Sequence, residues 1–254
     1  MTPAAIDISI LLPALVAGIL VTATHVPLGI QVLRRGIVFI DLAIAQIAGL
    51  GVILANWLGL TPHAWGVQTV ALAAALAGAL LLTWTEKHWP EVQEAVIGVS
   101  FVVAASAATL LLASNPHGGE HLKELLVGQI LWVTTGKLVA VAIVYAVLLT
   151  IWFALPRIGR VGFYLIFACA VTISVQLVGL YLVFATLIVP ALAARPRARF
   201  QLFFGYGVSI IGYVLGLAAS AAGDLPSGPA VVCAMVGVAI VVAMPLRPRA
   251  VVPQ

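Results

Sequence analysis

The chain has 254 residues, 63% of them hydrophobic and 8% charged, with a mean hydropathy of +1.21, far from the roughly 25% charged residues of a soluble domain. That balance excludes a water-soluble globular protein and points to a polytopic membrane protein. The formal net charge of +4 arises from basic pairs set between apolar runs, which is a topology signal and not an affinity for nucleic acid.

Crossing the hydrocarbon of a bilayer takes about 20 apolar residues. Runs near that length occur at 8–26, 37–56, 66–84, 95–113, 137–155, 161–178, 180–194, 200–222 and 229–246. The first lacks the basic start and small-x-small cleavage site of a secretory signal, so it reads as a span. The run 180–194 is short, follows Gly179 and ends about Pro190, the pattern of a broken half-helix. Residues 125–134, LLVGQILWVT, are too few to cross and read as re-entrant or interfacial. Cys169 and Cys233 fall in separate apolar runs, where thiols behave as small hydrophobes. No polar linker or low-complexity tract divides the chain. The expected fold is all-α: one domain over 1–254, a polytopic membrane helix bundle of about eight spans plus a broken or re-entrant segment.

With the N-terminus outside, Arg34, Arg35, Lys87, Arg157, Arg160, Arg195, Arg197, Arg199, Arg247 and Arg249 fall in cytoplasmic loops, leaving Lys123 and Lys137 outside. Ten cations against two is the bias that the positive-inside rule produces.

Few residues here carry chemistry. Asp41 lies six residues after Arg35 within an apolar run, and an intramembrane Asp costs about 2.5 to 3.5 kcal/mol on insertion scales. Such a residue faces a bundle interior, a partner or an ion path, unless it snorkels to water or pairs with Arg34 or Arg35. Gln46, five residues on, lies about 140° round an ideal helix from Asp41 and is off its face unless the helix is distorted. In the outer loop, His117, Glu120 and His121 offer two imidazoles and a carboxylate within five residues, ligand types that suit zinc, iron or nickel. The same string matches the H-x-x-E-H peptidase pattern. Gly118 and Gly119 inside it, each worth about 1 kcal/mol against a helix, and Pro116 before it speak against that reading. A solvated loop is the remaining alternative. His25, His63 and His88 are isolated and read as interfacial or hydrogen-bonded residues.

The chain has no G-x-x-x-x-G-K-[ST] loop, so an ATP-driven role needs a separate ATPase chain. The segment AARPRARFQ, with Arg195, Arg197 and Arg199, is either its docking point or ordinary positive-inside charge.

The order PLG, RRGIVFIDLAIAQIAGLGV, LLVGQILWVT, VGLYLVFATLIVPALAAR and GDLPSGPAVV closely resembles the membrane permeases of zinc and manganese ABC importers. The resemblance covers nearly the whole chain. Its most specific parts are Arg34, Arg35 and Asp41, the run from Val178 to Arg195, and the turn with Asp224, Pro226, Gly228 and Pro229. It implies a permease homodimer in the membrane, a cytoplasmic ABC ATPase, an extracytoplasmic metal-binding protein, and a divalent ion (zinc first, manganese or iron next) carried as cargo with no permanently bound cofactor. It also implies the cell membrane, a bacterial inner membrane, as the location, and a transport subunit with no catalysis of its own. Asp41, Gln46, His117, Glu120 and His121 are the residues expected along the metal's route, and Arg195, Arg197 and Arg199 those expected to couple to the ATPase. Where relatives carry a path histidine this chain has Ala45 or, with one insertion, Gln46. Gln129 stands where an acidic residue is common, and only LPRIGRV remains of a longer cytoplasmic connection. An ATPase-independent carrier or channel for a cation is the alternative.

Overall fold

The computed structural model describes residues 8–59, 65–112, 128, 130–155 and 158–243. Among the described residues there are nine α-helices and no strand: α1 (Ile8–Arg35), α2 (Ile40–Trp57), α3 (Trp65–His88), α4 (Gln93–Leu112), α5 (Thr135–Ala154), α6 (Arg160–Val178), α7 (Leu180–Ala194), α8 (Gln201–Gly223) and α9 (Ser227–Ala243). Short 3-10 turns lie at Pro90–Val92, Ile130–Trp132 and Ala198–Phe200. Seven helices are long and apolar enough to cross a membrane, while α7 and α9 are shorter. The chain is an all-α, multi-pass membrane protein.

The first helix is longer than the apolar run that predicts it, because it continues through Pro27 to Arg35. A proline has no N–H to give to the carbonyl four residues back, which here belongs to Ala23. The Tyr206 hydroxyl of α8 donates to that carbonyl at 3.2 Å instead. A neighbouring helix thus satisfies the freed group, as a bilayer interior demands. Two residues later Gly29 meets α7 so closely that a Cβ there would lie 1.9 Å from the Leu187 carbonyl oxygen. Helix α1 packs on α5, α6, α7 and α8 and is the bundle's central strut.

Helices α6 and α7 are joined through Gly179 alone, at φ 86° and ψ 161°, a conformation open to glycine and strained for other residues. At 15 residues, α7 rises only about 22 Å, short of the roughly 30 Å hydrocarbon thickness. It is tolerated because protein surrounds it. Leu182, Val183, Leu187 and Ala194 are wholly buried among α1, α6, α8 and α9. It runs unbroken through Pro190 to Ala194, so the expected half-helix is a complete but short one. Helices α4 and α5 are the opposite case. Val99, Val103, Leu110, Ile143 and Phe153 are exposed along them, the apolar outer face that a bilayer covers. Of the segment expected to be re-entrant, the described part forms the turn Ile130–Trp132 against α1, with Ile130 buried.

The polar ties place the helix ends as the charge bias requires. Glu86 of α3 lies 3.5 Å from Arg35 of α1 and 3.0 Å from Arg160 of α6. Arg34 donates to Gln201 of α8 at 2.8 Å, and Arg197 donates to the Val242 carbonyl of α9 at 2.8 Å. The ends of α1, α3 and α9 therefore share one end of the bundle with the starts of α6 and α8, as alternate crossings dictate. At the opposite end, the Lys137 amine donates to the Gln176 carbonyl in the last turn of α6, 2.9 Å away, where a cation complements the helix dipole.

Candidate functional site

Asp41 stands in the first turn of α2, just inside the cation-rich end of the bundle. The chain leaves α1 through Gly36 at φ 72° and re-enters helix at Ile40. No side chain of this segment caps α2. The Phe39 amide instead donates to Glu94 Oε1 of α4 at 3.3 Å, so a carboxylate from another helix fills the capping role and fixes where α2 begins.

The Asp41 side chain is fully buried, and neither carboxyl oxygen meets a side-chain partner among the described residues; only the backbone amides of Asp41 and Leu42 lie beside it. It does not snorkel, and it pairs with neither nearby arginine: Arg34 is held by Gln201, and Arg35 by Glu86 and the Phe163 ring, 4.3 Å from its guanidinium carbon. A helix N-terminus favours an acid by about 0.3 to 1 kcal/mol, too little to offset burial of a bare carboxylate. The geometry therefore leaves the site in need of a cation or a proton.

Ile44, Ala45 and Ala48 continue the Asp41 face at helical spacing, and all are buried, so only apolar groups of α2 line the helix beside the carboxyl. The helix is regular throughout. It carries Gln46 about 140° away, on a half-buried face, and does not bring Gln46 and Asp41 together. His117, Glu120, His121 and Gln129 lie outside the described residues. Among the described residues, no three His, Cys, Asp or Glu side chains cluster as metal ligands do.

One polar group is more prominent than the sequence reading allowed. His25 is fully buried in α1, with Nδ1 donating to the Val21 carbonyl at 3.0 Å and Thr24 Oγ1 also at 3.0 Å. Nε2 has no partner among the described residues and is left as a bare acceptor. His25 shares a face with Gly18, Thr22 and Gly29. Of these, Thr22 bonds Ser209 at 2.7 Å, and Gly18 abuts the Tyr213 ring, whose hydroxyl lies 3.0 Å from Thr186 Oγ1. A polar seam thus runs between α1, α7 and α8. Its signal was legible as small and polar residues at i, i+4, i+7 and i+11, a pattern that an isolated-histidine reading overlooks.

The arginines of the expected coupling segment divide. Arg197 is part-buried, stacked 4.2 Å over Phe204 and bonded to the Val242 carbonyl, so it braces the α7–α8 turn. Arg195 and Arg199 are exposed.

This arrangement has counterparts. The sequence matches the ABC 3 transport family over residues 7–158 and 155–246. The chain belongs to the ABC 3 transport family. This permease is 28% identical over 246 residues to the high-affinity zinc uptake system membrane protein ZnuB of Haemophilus influenzae, covering 88% of its own length and 92% of that protein. Its fold matches PsaBC from Streptococcus pneumoniae, solved in complex with a Fab, with a TM-score of 0.72 at 21% identity over 93% of this chain and 91% of that one. It also matches an ABC transporter described as of the metal-chelate type, in an inward-facing conformation, with a TM-score of 0.66 at 14% identity over 92% and 86% of the two chains. The family match agrees with the resemblance that the order of its motifs carries.

Proposed function

We propose that the permease is the membrane subunit of an ATP-driven importer of a divalent metal ion, with zinc the first candidate, and that the ion passes Asp41. The observation that carries this reading is the buried Asp41 carboxyl with no side-chain partner among the described residues, an acceptor that a passing cation would satisfy. The name of the Haemophilus influenzae relative supports zinc. On this reading two copies of the permease form the pathway in a bacterial inner membrane. An extracytoplasmic metal-binding protein delivers the ion to the outer mouth, where His117, Glu120 and His121 receive it. A cytoplasmic ATPase meets the α7–α8 turn through Arg195 and Arg199, while Arg197 holds the turn in shape. ATP binding and hydrolysis then rock the helices between outward and inward access. Gln46 lies on the half-buried face of α2, about 140° round the helix from Asp41.

The test is uptake into vesicles holding the permease and its co-encoded ATPase, with the binding protein supplied and zinc, manganese, iron, cobalt and nickel compared. ATP-dependent accumulation of one metal supports the proposal and names the cargo. A second reading, a carrier that works without an ATPase, draws on the five residues that separate α5 from α6 on the cytoplasmic side. Accumulation driven by an ion gradient in vesicles lacking the ATPase would establish it in place of the first.

A further inference from the structure

At the cytoplasmic end of the bundle a cleft of about 440 Å3 opens between α1, α5 and the start of α8. Arg34 and Arg199 supply its charge, Gln31 and Gln201 its neutral polar groups, and Trp152, Phe153 and Phe203 its outer wall. A smaller cleft of about 300 Å3 adjoins it and shares Arg34 and Gln201. We propose that this cleft binds the phosphate headgroup of an anionic phospholipid from the inner leaflet, and that the acyl chains lie on the exposed aromatic wall.

Three independent features carry the inference. The first is uncompensated charge. Among the described residues no acidic side chain lines either cleft, and their ion pairs involve Arg35 and Arg160, not Arg34 or Arg199. Arg34 uses one donor on Gln201, which leaves the rest of its fork for a phosphate, the bidentate geometry that guanidinium groups favour. The second is the start of α8, a 23-residue helix with no side-chain cap, whose amides and dipole add to the attraction for an anion. The third is depth and wall chemistry. The cleft lies level with the last turns of α1 and α5 and the first of α8, where headgroups sit. Its flank carries Phe153 at 60% and Phe203 at 74% exposure, surface that suits lipid chains and would serve a free anion poorly. Basic pockets between helices on the cytoplasmic side are sites of this kind. The inference stands apart from the identity of the transported ion; it shares Arg199 with the ATPase reading, so lipid binding is measured on the permease without its ATPase.

Native mass spectrometry of the purified full-length permease tests it, with phosphatidylglycerol, cardiolipin, phosphatidylethanolamine and inorganic phosphate as probes. The expected result is retention of phosphatidylglycerol or cardiolipin over phosphatidylethanolamine, weakened about tenfold or more in the double variant R34Q/R199Q and unchanged in K87Q, which removes a charge elsewhere at the same end of the bundle. Because the double variant could fail to insert, a photoactivatable phosphatidylglycerol is also applied to the unaltered protein, and the label is expected in the peptides containing Trp152, Phe153 or Phe203. Equal retention of phosphatidylethanolamine, full anionic-lipid binding by R34Q/R199Q, or inorganic phosphate binding as tightly as lipid would each overturn the proposal. So would label only outside those peptides, or peptides shielded by the ATPase subunit and never labelled by lipid in its absence.

Discussion

The Tyr206 hydroxyl donates to the Ala23 carbonyl at 3.2 Å, the group that Pro27 deprives of its helical partner. The helix therefore continues past the proline, as one helix of 28 residues. The relationship is conditional: the hydroxyl matters because the proline is there.

That condition makes it testable. Tyr206→Phe should lower stability by about 1 kcal/mol, the net worth of one hydrogen bond, read as a fall in melting temperature in detergent. In a Pro27→Ala background the backbone amide at position 27 serves the carbonyl, and Tyr206→Phe should then cost much less. Equal effects in both backgrounds would show that the two residues are not coupled.

The Gly29 contact gives a second prediction. Gly29→Ala places a methyl 1.9 Å from the Leu187 carbonyl oxygen, a backbone atom that cannot rotate away, so α1 and α7 must separate. The expected loss is about 1 to 3 kcal/mol, as for overpacked cores, with a smaller fraction of monodisperse protein on size-exclusion chromatography. Gly98→Ala in α4 has nothing within 4 Å of the new Cβ and should be neutral or mildly stabilising, since alanine favours helix. Similar losses in both variants would count against the close α1–α7 approach.

How much of this was legible beforehand follows from which forces act along the chain and which act across it. Apolar run length and cation placement are local quantities, and they located the nine described helices and the shared end of Arg35 and Arg160. The end of α1 was missed because the group that rescues Pro27 comes from Tyr206, 179 positions away in sequence (206 minus 27). Asp41 was found by its cost in an apolar run, yet whether it snorkels, pairs or stays bare depends on where Arg34 and Arg35 turn. Those two choices are fixed by Gln201 and Glu86. His25 was underrated because one imidazole says little until Gly18, Thr22 and Gly29 are seen on the same face.

The ion cluster at the cation-rich end of the bundle is the third case. Glu86 sits between Arg35 and Arg160, and its side chain and that of Arg35 are 15% and 19% exposed, so removing the acid leaves a part-buried guanidinium unpaired. Beside it Gln93 Nε2 joins α4 to α3 and α6 by donating to the Leu82 carbonyl at 2.9 Å and to Tyr164 Oη at 3.2 Å. A double-mutant cycle of Glu86→Gln with Arg35→Gln should give a coupling between about 0.5 and 3 kcal/mol. The cycle with Arg160, whose side chain is 45% exposed, should lie within the roughly 0.2 to 1 kcal/mol of surface pairs. The reverse order would mean that Arg160 carries the cluster.

The last prediction concerns transport. Asp41→Asn keeps the shape of the side chain and removes its charge, so it should leave the permease folded and inserted while lowering uptake of the transported metal about tenfold or more. That factor corresponds to the 1.5 to 3 kcal/mol typical of a hydrogen bond to a charged group. Gln46→Ala alters a half-buried residue on another face of α2 and should change uptake by no more than about threefold, below 1 kcal/mol of path interaction. Ala45→His would restore an imidazole one turn above the carboxyl, on its own face, and should tighten the apparent affinity for zinc. Uptake, ATP hydrolysis and the fraction of inserted protein are to be measured on the same vesicles. Unchanged uptake in Asp41→Asn would remove this residue from the path, and a larger loss in Gln46→Ala than in Asp41→Asn would move the path to the half-buried face of α2.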